Sequence, residues 1–404
     1  MVIFIDHCYI KIVRNLSISE NFKSKPLFDI PKGYRTFITN AGIKDKTLDL
    51  GVVVSDATAN AAAMFTSNKV KGNPVQVGIK HIKGGKVRAV VVNSKNSNVA
   101  TGKPGYDDCL RICKKAAQEL NTPVTQIFPS STGVIGRRLP TDKIIDALDS
   151  LSAKLIDVDF AGFAEAIMTT DTFPKYASRK IGNATLLGVA KGSGMIEPNM
   201  ATMLSYFFTD AEIPAASLKA ILKRVVEPTY NSLSIDSDMS TSDTVMVMAN
   251  GVQGKVPLAA FEKAFREIAT ELTRMLARDG EGATKLFTVT VKNAATELDA
   301  RAIGKSIINS PLVKTAIYKG DPNWGRIFMA VGKTPGVKVD PQKIKIRWGG
   351  KSYSNDELPA LSEYLKANEE LELEVSLSAG AKSWTVYGCD LTEAYVRINA
   401  YYTT

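Results

Sequence analysis

Along the chain, short runs of β-branched and aromatic residues alternate with stretches whose apolar positions recur every three or four residues. The runs are GVVVS from 51, KVRAVVVN from 86, ATLLGVA from 184, MLSYFF from 203, TVMVMAN from 244, KLFTVTV from 285, LELEVSL from 371 and SWTVYG from 383. Their length and residue types predict strands. Helical spacing is clearest over 257–279, where Leu258, Phe261, Phe265, Ile268, Leu272 and Met275 form one apolar face. Shorter patterns of the same kind predict helices over 107–120, 141–154 and 214–226. Strands and helices are mixed throughout, so the expected fold class is mixed α/β. Neither GxGxxG nor GxxxxGK[ST] occurs, which argues against a nucleotide-binding phosphate loop.

Composition narrows the class. A chain of 404 residues exceeds one ordinary core and fits two or three units of common size. No apolar run approaches the ~20 residues that a membrane span requires, so no membrane association is expected. The formal charge of +10 is spread along the sequence without a basic stripe interleaved with aromatics. That distribution excludes a nucleic-acid surface and suits the steering of small acidic substrates.

Four cysteines, Cys8, Cys109, Cys113 and Cys389, make no disulfide framework and indicate a reducing, cytoplasmic setting. Cys109 and Cys113 stand four apart on a predicted helix without further thiols or imidazoles nearby, so they are expected to be core thiols and no metal is expected. Residues 1–31 open with VIFI, become polar and end at Pro31, which reads as an N-terminal extension rather than a secretory signal.

Only two histidines exist, His7 in that extension and His81 in the polar segment IKHIKGGK, expected to be a surface turn. An acyl-transfer reaction would therefore need a base other than the usual imidazole. The stretch KGSGMIEPNMATMLS, 191–205, sets Thr202 among glycines, a proline and methionines. Thr202 is either part of a structural turn or a nucleophile. Cleavage of the Ala201–Thr202 peptide would give Thr202 a free α-amine of pKa about 7.7–8.0, a suitable base carried by the nucleophile itself. The bend Ser131-Thr132-Gly133 offers a hydroxyl and an unobstructed amide to a tetrahedral oxyanion, or is simply a β-turn after a strand.

Seven motifs occur in one order: STGVIG, MTTDT, KGSGMI with PNMATML, STSDT, DGEGATK, SPLVKTAI with DPNWGR, and YVRINAYYTT. Together they make the sequence from about Gly33 to Thr404 resemble the ornithine acetyltransferase family, also called glutamate N-acetyltransferase, of arginine biosynthesis. The resemblance implies a self-processing fold of the N-terminal-nucleophile type, cut between Ala201 and Thr202. The parts would be an extension (1–31), an α chain (32–201) and a β chain (202–404), assembled as two α and two β chains.

It also implies ping-pong transfer of acetyl from N2-acetylornithine to L-glutamate through an acetylated Thr202. Thr132 and Gly133 match the oxyanion pair. Thr169 or Thr170, Lys191, Thr202, Glu281, Asn399 and Thr404 match substrate-binding positions. No cofactor is implied, although acetyl-CoA is a possible second donor. GDPNWGRI, with a Trp324 expected to be buried, is assigned to packing or support.

Two departures stand out. NSKNSNVATG from 93 has Lys95, Ser97 and Val99 where the family usually has Gly, Ala and Cys, and Ser237-Asp238-Met239 stands in place of a more usual GDT. Both bear on acceptor specificity. Two other classes remain compatible with the residues: a self-processing amidase or aminopeptidase that uses water as acceptor, and an uncleaved, non-catalytic homologue.

Overall fold

The computed structural model describes Lys23, residues 29–197 and residues 203–401. His7, Ala201, Thr202 and Thr404 lie outside the described residues, as does nearly all of the expected extension.

Nine strands form the large sheet: β1 (Tyr34–Thr39), β2 (Leu50–Phe65), β3 (Lys86–Asn93), β4 (Ile127–Ser131), β5 (Ile156–Asp157), β6 (Lys175–Ile181), β7 (Ala184–Lys191), β8 (Leu204–Thr209) and β9 (Thr244–Ala249). The order is β4-β3-β2-β9-β8-β7-β6, and β1 pairs with both β2 and β5. The smaller sheet has β10 (Leu286–Ala294), β11 (Lys345–Trp348), β12 (Glu370–Ser376) and β13 (Lys382–Cys389), in the order β11-β12-β10-β13. The helices are α1 (Asn73–His81), α2 (Gly102–Glu119), α3 (Thr141–Ala147), α4 (Leu151–Lys154), α5 (Phe160–Ala166), α6 (Ala215–Val226), α7 (Leu258–Arg278), α8 (Glu297–Ile308), α9 (Pro311–Lys319), α10 (Trp324–Gly332), α11 (Leu358–Ala367) and α12 (Glu393–Tyr401). The fold is mixed α/β.

The large sheet is doubled over, and the alternation of its side chains shows how. In β8, Tyr206 and Phe208 join Val53, Val90, Val92 and Phe128 in one buried cluster, while the intervening Phe207 packs with Leu222 of α6 and Phe265, Ile268 and Leu272 of α7. In β2, Val53 points into the shared cluster, whereas Leu50, Val52 and Val54 pack with Ile112, Cys113 and Ala116 of α2. The period-two pleat thus sends alternate residues to opposite faces. The layers run helix, sheet, sheet, helix. Long β2 passes from one half to the other, pairing with β1 and β3 first and with β9 over Asn60–Phe65, with an irregularity between Val54 and Ala59.

Four local expectations need correction. Ser150, at φ 54°, interrupts the helix expected over 141–154, leaving α3 and α4. Leu258 is 44% exposed because it opens α7 immediately after Pro257, before the helix reaches the sheet. His81 is buried at the end of α1, where its Nδ1 lies 2.7 Å from the Ile127 carbonyl of β4, so it is not a surface turn residue. Trp324 is 47% exposed, edge-on to Phe328 one helical turn along α10.

In sequence the expected cut lies between β7 and β8, outside the described residues. Lys191 of β7 pairs directly with Leu204 of β8, so residues 192–203 form one connection between neighbouring strands.

Candidate active site

The site is assembled at the ends of strands. β3 and β4 run parallel, and their last residues Asn93 and Ser131 are partners. Just beyond, the Thr132 amide donates to the Asn93 carbonyl (3.0 Å), the Ser131 hydroxyl donates to Asn93 Oδ1 (2.6 Å) and the Val134 amide donates to the Lys95 carbonyl (2.9 Å). These bonds hold a tight bend against the loop that follows β3. Gly133 sits at its apex with φ 126°, and a Cβ there would collide with the Lys95 carbonyl and the Asn96 amide. Only glycine fits this approach.

Lys191 ends β7 and is buried. Its ammonium donates to Thr169 Oγ1 (2.8 Å) and to Thr132 Oγ1 (3.2 Å), joining two segments far apart in sequence. The next turn binds the others. Thr170 and Ser193 share a hydroxyl hydrogen bond of 2.6 Å, and the Glu281 amide donates to the Ser193 carbonyl (2.7 Å). The Glu281 carboxylate accepts from Asn399 Nδ2 at 2.8 Å, which ties the C-terminal helix α12 to the site. A Cβ at Gly194 would strike that carboxylate, so a glycine is required to let Glu281 approach the loop.

Thus Thr132, Gly133, Thr169, Thr170, Lys191, Glu281 and Asn399 form one connected group, and both threonines of the TTDT motif take part, one through Lys191 and one through Ser193. The described residue after Thr202 also lies here. Met203 is buried and packs beside Gly192, and its carbonyl accepts from the Thr244 amide (3.0 Å).

A buried charge network beneath the group was not anticipated from the sequence. Lys175 Nζ donates to Asp171 Oδ1 (2.8 Å) and Asp279 Oδ2 (2.5 Å), with all three side chains fully buried. Asp171 in turn accepts from the Gly192 amide (2.6 Å) and the Thr169 amide (3.0 Å), and Asp279 accepts from the amide and hydroxyl of Thr172. The network therefore locks the MTTDT, KGSG and DGEG motifs to each other. Asp171 and Asp279 lie within motifs visible in the sequence. Lys175 gives no such signal, since it begins an ordinary strand.

Electrostatics follow from burial and these contacts. Burial alone would raise Asp171, but Lys175 and Lys191 outweigh it and hold the carboxyl well below its usual range. Asp279 is pushed up to about 6 by burial, with Lys175 opposing. Burial lowers Lys191, partly offset by Asp171, and raises Glu281, partly offset by bonds from Thr170 and Asn399. The Lys191 ammonium is buried and the Glu281 carboxylate half-buried, where hydrogen bonds to a charged ligand are stronger than in open water.

Among the described residues, no group of three His, Cys, Asp or Glu is placed to hold a metal ion, and no helix is long and apolar enough to cross a membrane.

The ArgJ family profile matches residues 35–404. The chain is 49% identical over 381 residues to the arginine biosynthesis bifunctional protein ArgJ 2 of Clostridium acetobutylicum, covering 93% of this chain and 98% of that protein. It is 40% identical over 386 residues to the glutamate N-acetyltransferase Oat2 of Streptomyces clavuligerus, covering 93% and 98%. Among solved structures, the ornithine acetyltransferase of Mycobacterium tuberculosis complexed with ornithine is 33% identical and aligns over 42% of this chain and 94% of that one, with a TM-score of 0.38. The chain belongs to the ArgJ family of arginine-biosynthesis acyltransferases.

Proposed function

We propose that the protein is a glutamate N-acetyltransferase that cuts itself between Ala201 and Thr202 and carries acetyl from N2-acetylornithine to L-glutamate on Thr202. The two resulting chains assemble as two α and two β chains in the cytoplasm. The observation that carries the reading is the Lys191 ammonium bonded to both Thr132 and Thr169, at the strand end that pairs with Leu204.

In the first half-reaction the Thr202 hydroxyl attacks the acetyl carbonyl, and its proton passes to the Thr202 α-amine. Thr132 Oγ1 accepts from Lys191, which leaves the Thr132 hydroxyl proton to donate to the oxyanion beside the Gly133 amide. Collapse of the tetrahedral intermediate breaks the C–N bond, the α-amine returns its proton to the leaving nitrogen, and ornithine departs. In the second half-reaction the glutamate α-amine attacks the acetyl ester, the ester C–O bond breaks and Thr202 recovers its hydroxyl. Lys191 suits the α-carboxylate common to both substrates, and Glu281 with Asn399 suits the ammonium of ornithine. Thr404, outside the described residues, is assigned a substrate contact in this reading, and acetyl-CoA is a second donor to be tried.

Intact masses of fresh wild-type and Thr202→Ala protein test the proposal. Two fragments in the wild type, one beginning TMLSYF, together with an uncut variant and acetyl transfer that needs glutamate, are expected. Hydrolysis of acetylornithine independent of glutamate would make the protein an amidase, and an intact, inactive wild type would make it a non-catalytic homologue.

A further inference from the structure

Donor and acceptor in this reading differ at one end. Both carry an α-carboxylate, but the side chain of ornithine ends in an ammonium and that of glutamate in a carboxylate. The group described above has Lys191 for the shared carboxylate and Glu281 for the ammonium, and a second carboxylate still needs a partner.

Lys44 stands at the right place. It lies on the loop between β1 and β2, which the fully buried Asp49 fixes by accepting from the amides of Ala41 (2.6 Å), Ile43 (2.7 Å) and Lys44 (2.7 Å). The Lys44 ammonium donates to the carbonyls of Leu48 (2.8 Å) and Met168 (2.9 Å). Met168 immediately precedes Thr169, whose hydroxyl accepts from Lys191, so two ammonium groups flank one short segment of chain.

Among the described residues Lys44 has bonds to carbonyls and none to a carboxylate. Three N–H donors less two leaves one. Nearby carboxylates are engaged: Asp49 by backbone amides, and Asp171 by Lys175, Gly192 and Thr169.

The charge of a third cation, Lys95, is felt at Lys44. Lys95 is exposed on the turn against which Gly133 packs, and it holds φ 77°, a left-handed conformation that disfavours a side chain. Burial pushes the Lys44 ammonium down to about 8, and the charges of Lys191 and Lys95 push the same way against Asp49 and Asp171. Like charges gathered around a half-buried ammonium lower the electrostatic cost of bringing in an anion.

We propose that Lys44, with Lys95 across the turn, forms the subsite that receives the side-chain carboxylate of a dicarboxylic amino-acid acceptor. This rests on the acyltransferase reading. It divides the pocket, with Glu281 serving the donor's ammonium and Lys44 the acceptor's carboxylate.

The test compares acetyl transfer from N2-acetylornithine to glutamate with transfer to glutamine, its uncharged isostere, as a ratio of kcat/KM values. Lys44→Met and Lys95→Gly should each lower the preference for glutamate by about tenfold, the size of one charge-assisted hydrogen bond, through KM for glutamate rather than kcat. Lys44→Arg should keep most of the preference. Should Lys44→Met fail to fold, Lys95→Gly relaxes the backbone and carries the test. A wild type that transfers acetyl, with variants whose preference stays within about twofold of it, would overturn the subsite and leave the acyltransferase reading standing. A wild type that transfers acetyl to neither acceptor would overturn both.

Discussion

The small sheet and the site at the end of the large sheet solve opposite problems with the same twenty residue types. In the small sheet, Leu371, Leu373 and Val375 of β12 point inward to Phe287, Val289 and Val291 of β10, while Glu370, Glu372 and Glu374 face outward. Its positive-φ residues other than glycine, Asn293 and Ser378, lie at the ends of strands. Around the site, Lys95, Asn98, Ala100, Met195 and Ser237 all have positive φ, and Asp171, Lys175, Lys191 and Asp279 are all buried. One region gains stability from apolar area; the other spends stability on geometry that a ligand can use.

The sharpest way to break the contrast is Lys175→Met. It leaves Asp171 and Asp279 without the cation that bonds them both, which should cost about 3–5 kcal/mol, and adding Asp279→Asn should restore part of the loss. Urea unfolding measures both. A loss below about 1 kcal/mol would place this network on a par with a surface ion pair and remove the contrast. The matching change in the small sheet is Leu373→Ala, expected to cost about 2–5 kcal/mol through a cavity while leaving kcat/KM for acetyl transfer unaltered at temperatures where the variant is folded. A fall in kcat/KM would show that the small sheet positions the chemistry.

The same contrast explains what could be read from the sequence. β8 and β9, buried on both faces, were legible as short apolar runs of β-branched and aromatic residues, β12 as a strict alternation and the long α7 as an amphipathic helix, because burial dictates each pattern. Short or mixed strands such as β1 (YRTFIT) and β6 (KYASRKI) were not, since their polar residues are explained only by partners elsewhere in the chain. His81 looked like a turn residue because nothing local announces the Ile127 carbonyl, 46 residues away. Trp324 looked buried because size alone does not place a ring. In the site, motif order brought out Thr132, Gly133, Lys191 and Glu281. Lys175 was missed because its bond to Asp279 spans 104 residues and exists only after folding.

A smaller effect lies in pH. Asp279, raised to about 6 by burial against the pull of Lys175, binds its proton more tightly when folded than when unfolded. Between about pH 4 and 6 the folded state holds more protons at this group, so its contribution to stability declines as pH rises through that window. Asp171 has the opposite sign: held low after Lys175 and Lys191 overcome burial, it adds stability above about pH 4 that is lost as pH falls further. Asp279→Asn should therefore make the slope of stability against pH more positive between 4 and 6. An unchanged slope, from denaturant midpoints at several pH values, would mean that the pair does not divide its protons in this way.

The smallest expected effect separates strain kept for a purpose from strain merely tolerated. Lys95 and Ser237 occupy left-handed backbone at φ 77° and 64°, and both stand where the resembled family usually has glycine. A side chain in that conformation costs roughly 1–2 kcal/mol, and glycine returns part of the gain through the entropy of its unfolded chain. Lys95→Gly and Ser237→Gly should each raise stability by about 0.5–1 kcal/mol, read as a shift in denaturant midpoint. In stability the two variants are twins; in function they should part. The Ser237 side chain carries no charge, so its replacement should leave the preference for glutamate over glutamine where it was, whereas removing the Lys95 cation should lower it. Equal effects on preference would mean that relaxing either turn reshapes the pocket, and that Lys95 acts through the backbone rather than through its charge.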